Sequence, residues 1–173
     1  MTPLWQSLFA NLALVSILVL AWDFVTEWTT RLSPKVQSLL LGLILGIGAV
    51  VSMASAQPLI AGFILDLRAP LVAAAGFFGG LPAVIIAGVA ALFYRVYLGG
   101  AGAMAGVADI VITIVVGLAA YWWTRTRPRT INVILVFGLA VAFGRLVAFL
   151  AIPADLRLSL LARTGVPLLV LTF

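Results

Sequence analysis

An apolar segment between Arg68 and Arg95, interrupted by a glycine–proline motif, limits the folds open to this chain more than any other feature. The residues between these two arginines carry no charge, and the motif Gly79-Gly80-Leu81-Pro82 divides them into two short pieces. Irregular backbone is tolerated at membrane depth only where it is buried in protein or lines a cavity. The segment is therefore predicted to be either one broken crossing or a re-entrant hairpin.

The composition places the rest of the chain in a membrane as well. Of the 173 residues, 65% are hydrophobic and 9% are charged, whereas roughly a quarter are charged in a typical soluble domain. The net charge is +5, but the basic residues lie at the ends of apolar segments, which favours lipid headgroups over nucleic acid as their partners. The absence of cysteine and histidine excludes disulfides, thiolate metal sites and imidazole catalysis. We predict an all-α, polytopic membrane bundle of about six helices, without a cofactor or metal site.

Apolar runs predict the first two spanning helices. The first covers about Leu4 to Trp22, and a polar connection extends this unit to residue 35. The second begins at Lys35 and is expected to break at Gln57-Pro58. Its small-xxx-small motif, Gly42 and Gly46, predicts close packing against a neighbouring helix and is the one candidate face for a homodimer.

Two more helices and an incomplete one are predicted after the broken segment. One runs from about Ala103 to Trp123 and the next from about Ile131 to Ile152. A last helix starts near Thr164, but the ten residues to Phe173 reach only about 15 Å at 1.5 Å per residue, half of a hydrocarbon core. This last helix is therefore expected to be incomplete.

The arginine-rich link after Trp123 is typical of a cytoplasmic loop. If the broken segment crosses once, this assignment puts the N-terminus inside, whereas a hairpin that crosses twice puts it outside. The numbers of basic residues on each side do not decide between these alternatives.

Charged residues within or beside the apolar segments are the candidates for function. An arginine near the bilayer centre costs about 2.5–3.5 kcal/mol on insertion scales, so each should have a partner or an aqueous cavity. One interpretation is a set of internal ion pairs, Asp66 with Arg68 and Asp109 with Arg95 or Arg145. The three arginines nevertheless outnumber the two acids, which favours an anionic ligand.

A glycine loop next to these charges strengthens the same interpretation. Gly99-Gly100-Ala101-Gly102 opens the helix near Ala103 and offers backbone N–H groups at a positive dipole end. Because the planar guanidinium of arginine matches a carboxylate bidentately, a small carboxylate is the predicted ligand class. Tyr94 and Tyr97 are possible contacts, although interfacial anchoring is their commoner role. No acid/base pair or nucleophile motif supports catalysis.

The elements of this segment, in order, resemble a known family. D66-L-R68, G76-x-x-G79-G80-x-P82 and Y94-R95-x-Y97-x-G99-G100-x-G102-x-x-x-G106 look like the signature of the LytS-type five-transmembrane receptor region of bacterial sensor histidine kinases and diguanylate cyclases. The resemblance covers residues 36–173, which would form the sensory, ligand-binding domain. It implies that Arg68 and Arg95 bind ligand, with Gly106 and Asp109 as weaker pocket candidates.

The resemblance also implies a setting and partners. The region would lie in the bacterial cytoplasmic membrane, detect an external small carboxylate such as pyruvate, and signal to a cytoplasmic kinase or cyclase domain absent from this chain. The chain itself would not be an enzyme, and a homodimer is implied by the kinase partner.

A more distant resemblance, to the six-helix substrate-binding subunits of energy-coupling-factor transporters, provides an alternative function in solute uptake. A scaffold without a ligand, whose charges only pair internally, is the third interpretation.

Overall fold

The computed structural model describes most of the chain between residues 13 and 149. The described residues are 13–14, 16–18, 20–23, 27, 29, 32–56, 58–60, 63–64, 66–100, 102–126 and 130–149. They contain four long helices: α1 (Pro34–Ser55), α2 (Arg68–Leu98), α3 (Ala103–Thr124) and α4 (Ile131–Phe149). All four are long and apolar enough to cross a membrane. The prediction of an all-α, polytopic membrane bundle is confirmed, while the count of six helices and the incomplete helix from Thr164 concern residues outside this part of the chain.

The helix boundaries follow the breaks in the sequence. Pro34 occupies the first turn of α1, where its missing N–H costs no hydrogen bond. The helix ends at Ser55, just before the predicted break at Gln57-Pro58. A short antiparallel hairpin then follows, with β1 at Pro58–Ile60 and β2 at Phe63–Ile64. The sequence interpretation did not foresee this hairpin.

The described residues from 13 to 29 are helical, as predicted for the first spanning helix. Residues 13–14, 16–18 and 20–23 are all in helical conformation. This helix packs against α1 at Gly48, where an added Cβ would lie 2.5 Å from Leu18 Cδ1. Asp23 and Glu27, in the predicted polar connection, are exposed.

Helix α2 reverses direction, so the broken segment is a hairpin and not a single crossing. A straight helix would separate Arg68 and Arg95 by about 40 Å at 1.5 Å per residue. Both side chains instead contact the same residue of α3: a Cβ at Gly106 would overlap the Arg95 guanidinium and lie 3.2 Å from Arg68 Nη2. The two halves of α2 therefore run in opposite directions beside α3.

The reversal occurs at Gly80. Its dihedral angles, φ 68° and ψ −154°, fall in a region that is essentially restricted to glycine. The ring of Tyr121 packs against it, and a Cβ at Gly80 would lie 2.9 Å from that ring. On the other side, the Ser38 hydroxyl donates a hydrogen bond to the Gly79 carbonyl. Pro82 stands in the first turn of the second half, where proline is well tolerated.

Small residues let the hairpin approach its neighbours closely. An added Cβ at Gly42 would lie 2.5 Å from the Ala83 carbonyl oxygen, and one at Gly46 would lie 3.1 Å from Ala87 Cα. The predicted close packing of this motif is confirmed, and the partner is the second half of α2. Because that surface is used within the chain, it does not provide a free face for a homodimer.

These contacts define two ends of the bundle. The tip end contains the reversal of α2, the start of α1 and the end of α3. The arginine end contains both termini of α2, the end of α1 and the start of α3. Helix α4 runs from the tip end to the arginine end, since Arg145 near its C-terminus lies beside Asp109 of α3.

Candidate functional site: a buried arginine–aspartate cluster

Five charged side chains from α2, α3, α4 and the link before α2 are buried together at the arginine end. Each is at most 8% exposed; they are Asp66, Arg68, Arg95, Asp109 and Arg145. The sequence singled out all five, but their spacing along the chain did not show that they meet. The reversal at Gly80 and the return of α4 bring them together.

Arg68 is the centre of this ion-pair network. Its Nη1 lies 3.0 Å from Asp66 Oδ2, and its Nη2 lies 3.3 Å from Asp109 Oδ2. Asp66 also accepts a hydrogen bond from the backbone N–H of Arg68, at 3.1 Å. The predicted pair of Asp66 with Arg68 is therefore confirmed, and Arg68 has a second carboxylate partner on α3.

Arg145 connects α4 to the same network. Its Nε lies 3.9 Å from Asp109 Oδ1, and its Nη2 donates a 3.4 Å hydrogen bond to the backbone carbonyl of Asp66. The predicted pair of Asp109 with Arg145 is thus present. Asp109 is held between arginines of two different helices.

Arg95 reaches the cluster from the other end of α2. Its side chain is 2% exposed and is the largest fully buried one among the described residues. Its Nη1 donates a 3.2 Å hydrogen bond to the Gly99 carbonyl. The guanidinium occupies the space that a side chain at Gly106 would fill, which explains why α3 has glycine at this position.

The glycine loop closes α2 and starts α3 beside these arginines. Gly99 and Gly100 have positive φ angles of 59° and 88°, which glycine adopts without a steric penalty. Gly102 is the buried N-cap of α3, and no side chain caps that helix terminus. Backbone N–H groups in the first turn of a helix lack intrahelical acceptors, which is the basis of the anion contact predicted at this terminus.

Two hydroxyl residues that the sequence interpretation missed hold the backbone of the site. Ser52 Oγ, fully buried near the end of α1, accepts a 2.9 Å hydrogen bond from the Leu67 N–H. Thr113 Oγ1 donates a 2.6 Å bond to the Asp109 carbonyl, one turn earlier in α3. A small polar residue in an apolar helix, one turn from its end, was the signal that could have identified Ser52.

The two tyrosines differ in their relation to the cluster. Tyr94 is half-buried and packs against the apolar core. Tyr97 is 79% exposed, and its ring centroid lies 6.1 Å from that of Tyr94. The exposure of Tyr97 suits the interfacial anchoring that was predicted as its commoner role.

The cluster has more positive than negative groups and more donors than acceptors. Three guanidinium groups face two carboxylates, which leaves at least one net positive charge. Arg68 Nε and Arg145 Nη1 are buried without a hydrogen-bond partner among the described residues. Complete burial raises the pKa of the Asp66 carboxyl above its usual range, while Arg68 and Arg145 act in the opposite direction; any protonation would increase the positive surplus. Such a site can donate hydrogen bonds to the oxygens of an anion through these unpartnered guanidinium N–H groups.

A separate cavity of about 310 Å³ lies between α3, α4 and the first half of α2. Its lining is apolar and aromatic: Phe77, Val116, Ala119, Ala120, Trp123, Val133, Val136, Phe137 and Ala140. Phe77 stacks on Phe137 with ring centroids 4.5 Å apart. A cavity of this kind suits an acyl chain or a packed side chain, and offers nothing to an anion.

Comparison with known proteins gives one match. The family model described as the 5TMR of 5TMR-LYT matches residues 23–173, a range that includes every residue of the cluster. No curated protein and no solved structure matches the chain.

Proposed function

The chain belongs to the 5TMR-LYT family, a membrane sensory region of the kind found in sensor histidine kinases, and on that premise we propose that it binds a small carboxylate such as pyruvate at the arginine end. The proposed ligand contacts are Arg68 and Arg95, supported by Gly99, Gly100, Gly102, Gly106 and Asp109. The occupied site signals to a cytoplasmic kinase or diguanylate cyclase domain.

One observation carries this proposal: Arg68 and Arg95, from opposite ends of α2, both reach Gly106. Burying three arginines with two carboxylates is a poor way to stabilise a fold, because desolvation offsets much of the attraction between the charges. An added carboxylate would neutralise the remaining positive charge and accept hydrogen bonds from the buried donors of Arg68 and Arg145. A scaffold whose charges only pair internally does not require this surplus.

The direction from which the ligand enters follows from the hairpin. Helix α1 begins and α3 ends at the tip end, and the sequence places five basic residues next to these two points: Arg31, Lys35, Arg125, Arg127 and Arg129. The positive-inside rule then puts the tip end in the cytoplasm. The arginine end faces outward, as expected for a sensor of an external solute.

The resemblance to the substrate-binding subunits of energy-coupling-factor transporters stays a prediction. Uptake would require release of the bound solute into the cytoplasm, whereas a sensor only has to change conformation on binding. Retention of radiolabelled pyruvate on the outer side of proteoliposomes, with no accumulation inside, is the result expected of the sensor.

Binding is tested most directly by replacing each arginine with lysine. Arg68→Lys and Arg95→Lys keep the positive charge but lose the planar fork that matches a carboxylate. We expect each to weaken pyruvate binding at least tenfold in calorimetry on the purified chain in lipid nanodiscs. Arg125→Lys, at an exposed position of the tip end, is the matched control and should bind normally. Unchanged affinity in both cluster variants would contradict the proposal.

The orientation is tested by cysteine labelling, since the chain has no cysteine of its own. Met104, 81% exposed at the start of α3, marks the arginine end, and exposed Lys35 marks the tip end. A membrane-impermeant maleimide should label the M104C variant in intact cells, and the K35C variant only after permeabilisation. The reverse pattern would put the arginine end in the cytoplasm.

A further inference from the structure

We propose that Asp109 sets the charge of the anion that this site accepts, so that a monocarboxylate is preferred to a dicarboxylate of similar size. The inference rests on the proposed function and adds the selectivity of the site. It comes from the position of Asp109, between Arg68 at 3.3 Å and Arg145 at 3.9 Å, inside a cluster that is otherwise arginine-rich.

The cluster contains three guanidinium groups and two carboxyl groups. The three guanidinium groups stay protonated in proteins. Asp66 and Asp109 are each within ion-pair distance of an arginine. With both carboxylates ionised, the three guanidinium groups leave one net positive charge, and one monoanion brings the cluster to neutrality.

Because the cluster is buried, its net charge strongly affects the free energy of ligand binding. All five side chains are at most 8% exposed, and an uncompensated charge is expensive where water is excluded. A dianion at the same place would leave a net negative charge in the cluster. A monocarboxylate avoids that cost, so the site selects by charge.

Asp109, not Asp66, is placed to exert this selection. Asp66 is 0% exposed and accepts hydrogen bonds from both the backbone N–H and the Nη1 of Arg68, so it holds the start of α2 in place. Asp109 lies three residues after Gly106, and residues three apart are neighbours on a helix surface. Its carboxylate therefore borders the point where Arg68 and Arg95 converge, and its Oδ1 has no hydrogen-bond partner among the described residues.

The experiment compares pyruvate with malonate, two three-carbon anions that differ in charge. Calorimetry on the wild-type chain in nanodiscs should give at least tenfold tighter binding of pyruvate. Asp109→Asn raises the surplus to two positive charges, and should shift the ratio of the two affinities at least tenfold towards malonate. Asp23→Asn, the same change at an exposed position outside the cluster, should leave the ratio unchanged.

A second pair of variants tests the net charge of the cluster separately from the Asp109 side chain. Arg145→Gln lowers the surplus to zero and should weaken both ligands, malonate more than pyruvate. The double variant Asp109→Asn/Arg145→Gln restores a surplus of one and removes both members of one ion pair. It should recover the wild-type ratio, and it tests the idea even if Asp109→Asn alone does not fold.

The outcomes separate this inference from the function on which it rests. Pyruvate binding by the wild type with the same pyruvate-to-malonate ratio in Asp109→Asn would overturn the selectivity role alone. A double variant whose ratio differs from the wild type as much as that of Asp109→Asn would do the same. Failure of the wild type to bind either anion would overturn both proposals.

Discussion

The two ends of the bundle are built by different means. At the arginine end, five buried charges from three helices and a link are held by ion pairs and by hydroxyl groups bonded to the backbone. At the tip end, the chain reverses at Gly80, and the contacts come from the Tyr121 ring, the Ser38 hydroxyl and small residues. The described charged residues there, Lys35 and Arg125, are exposed.

The two ends differ in whether their features are needed for folding. A tight reversal needs a backbone conformation restricted to glycine, and the tip end has one. Nothing about the reversal requires buried arginines at the other end. Replacing buried ion pairs by apolar residues is often neutral or stabilising, and this is why we propose that the cluster serves binding. Substitutions at the tip end should therefore lower stability, and those at the arginine end should lower affinity more than stability.

The largest expected effect on stability is at the tip end. Gly80→Ala would place a side chain at φ 68°, 2.9 Å from the Tyr121 ring, so we expect a loss of about 2–4 kcal/mol from strain and overpacking. The melting temperature in detergent, followed by circular dichroism, measures this loss. Gly138→Ala in α4, where an added Cβ meets nothing within 4 Å, is the matched control and should not destabilise. Equal melting temperatures for the two variants would show that the reversal does not require glycine at position 80.

A smaller loss of stability is expected at the arginine end. Ser52→Ala removes the acceptor of the buried Leu67 N–H, and an unsatisfied buried donor costs about 1–2 kcal/mol. Because Leu67 precedes Arg68, the affinity for pyruvate should fall as well. Ser55→Ala, exposed at the end of the same helix, provides the control. A variant that loses stability but binds normally would show that Ser52 does not position the site.

The smallest expected effect on stability is at Gly106. A methyl group there meets the movable guanidinium of Arg95, so the free energy of unfolding should change by less than about 1 kcal/mol, as the side chain can shift. Pyruvate binding should nevertheless weaken at least tenfold, because Arg95 leaves its position. The same glycine-to-alanine change would then act on stability at the tip end and on affinity at the arginine end. A Gly106→Ala variant that loses stability without losing affinity would show that Gly106 serves packing and not the position of Arg95.

Most of the helical structure could be predicted from hydropathy and breakers alone. The ends of α1 and α3 lie within a residue or two of the predicted positions, because proline, glycine and charge end apolar helices for local reasons. The β hairpin between α1 and α2 was missed. It has only five residues in its strands, and such short strands lack the alternating pattern that predicts longer ones.

The sequence identified the residues of the candidate site but did not show which of them contact one another. An arginine or aspartate inside an apolar run signals function from its cost alone, and this identified all five members of the cluster. Which of them pair depends on helices distant in sequence. The same holds for Gly106, whose spatial role comes from two side chains at opposite ends of α2.

The sequence alone is enough to predict insertion in a membrane, the positions of the helices, and a break between Arg68 and Arg95. A glycine pair shortly before a proline interrupts a helix without fixing its new direction, because glycine adopts many backbone conformations. Tertiary contacts decide that the segment reverses. The two halves of α2 pack on α1 and α3 through small residues, with Gly42 against Ala83 and Gly117 against Ala73. That packing folds the segment back on itself, and the folding back places two arginines, far apart in the chain, at one site.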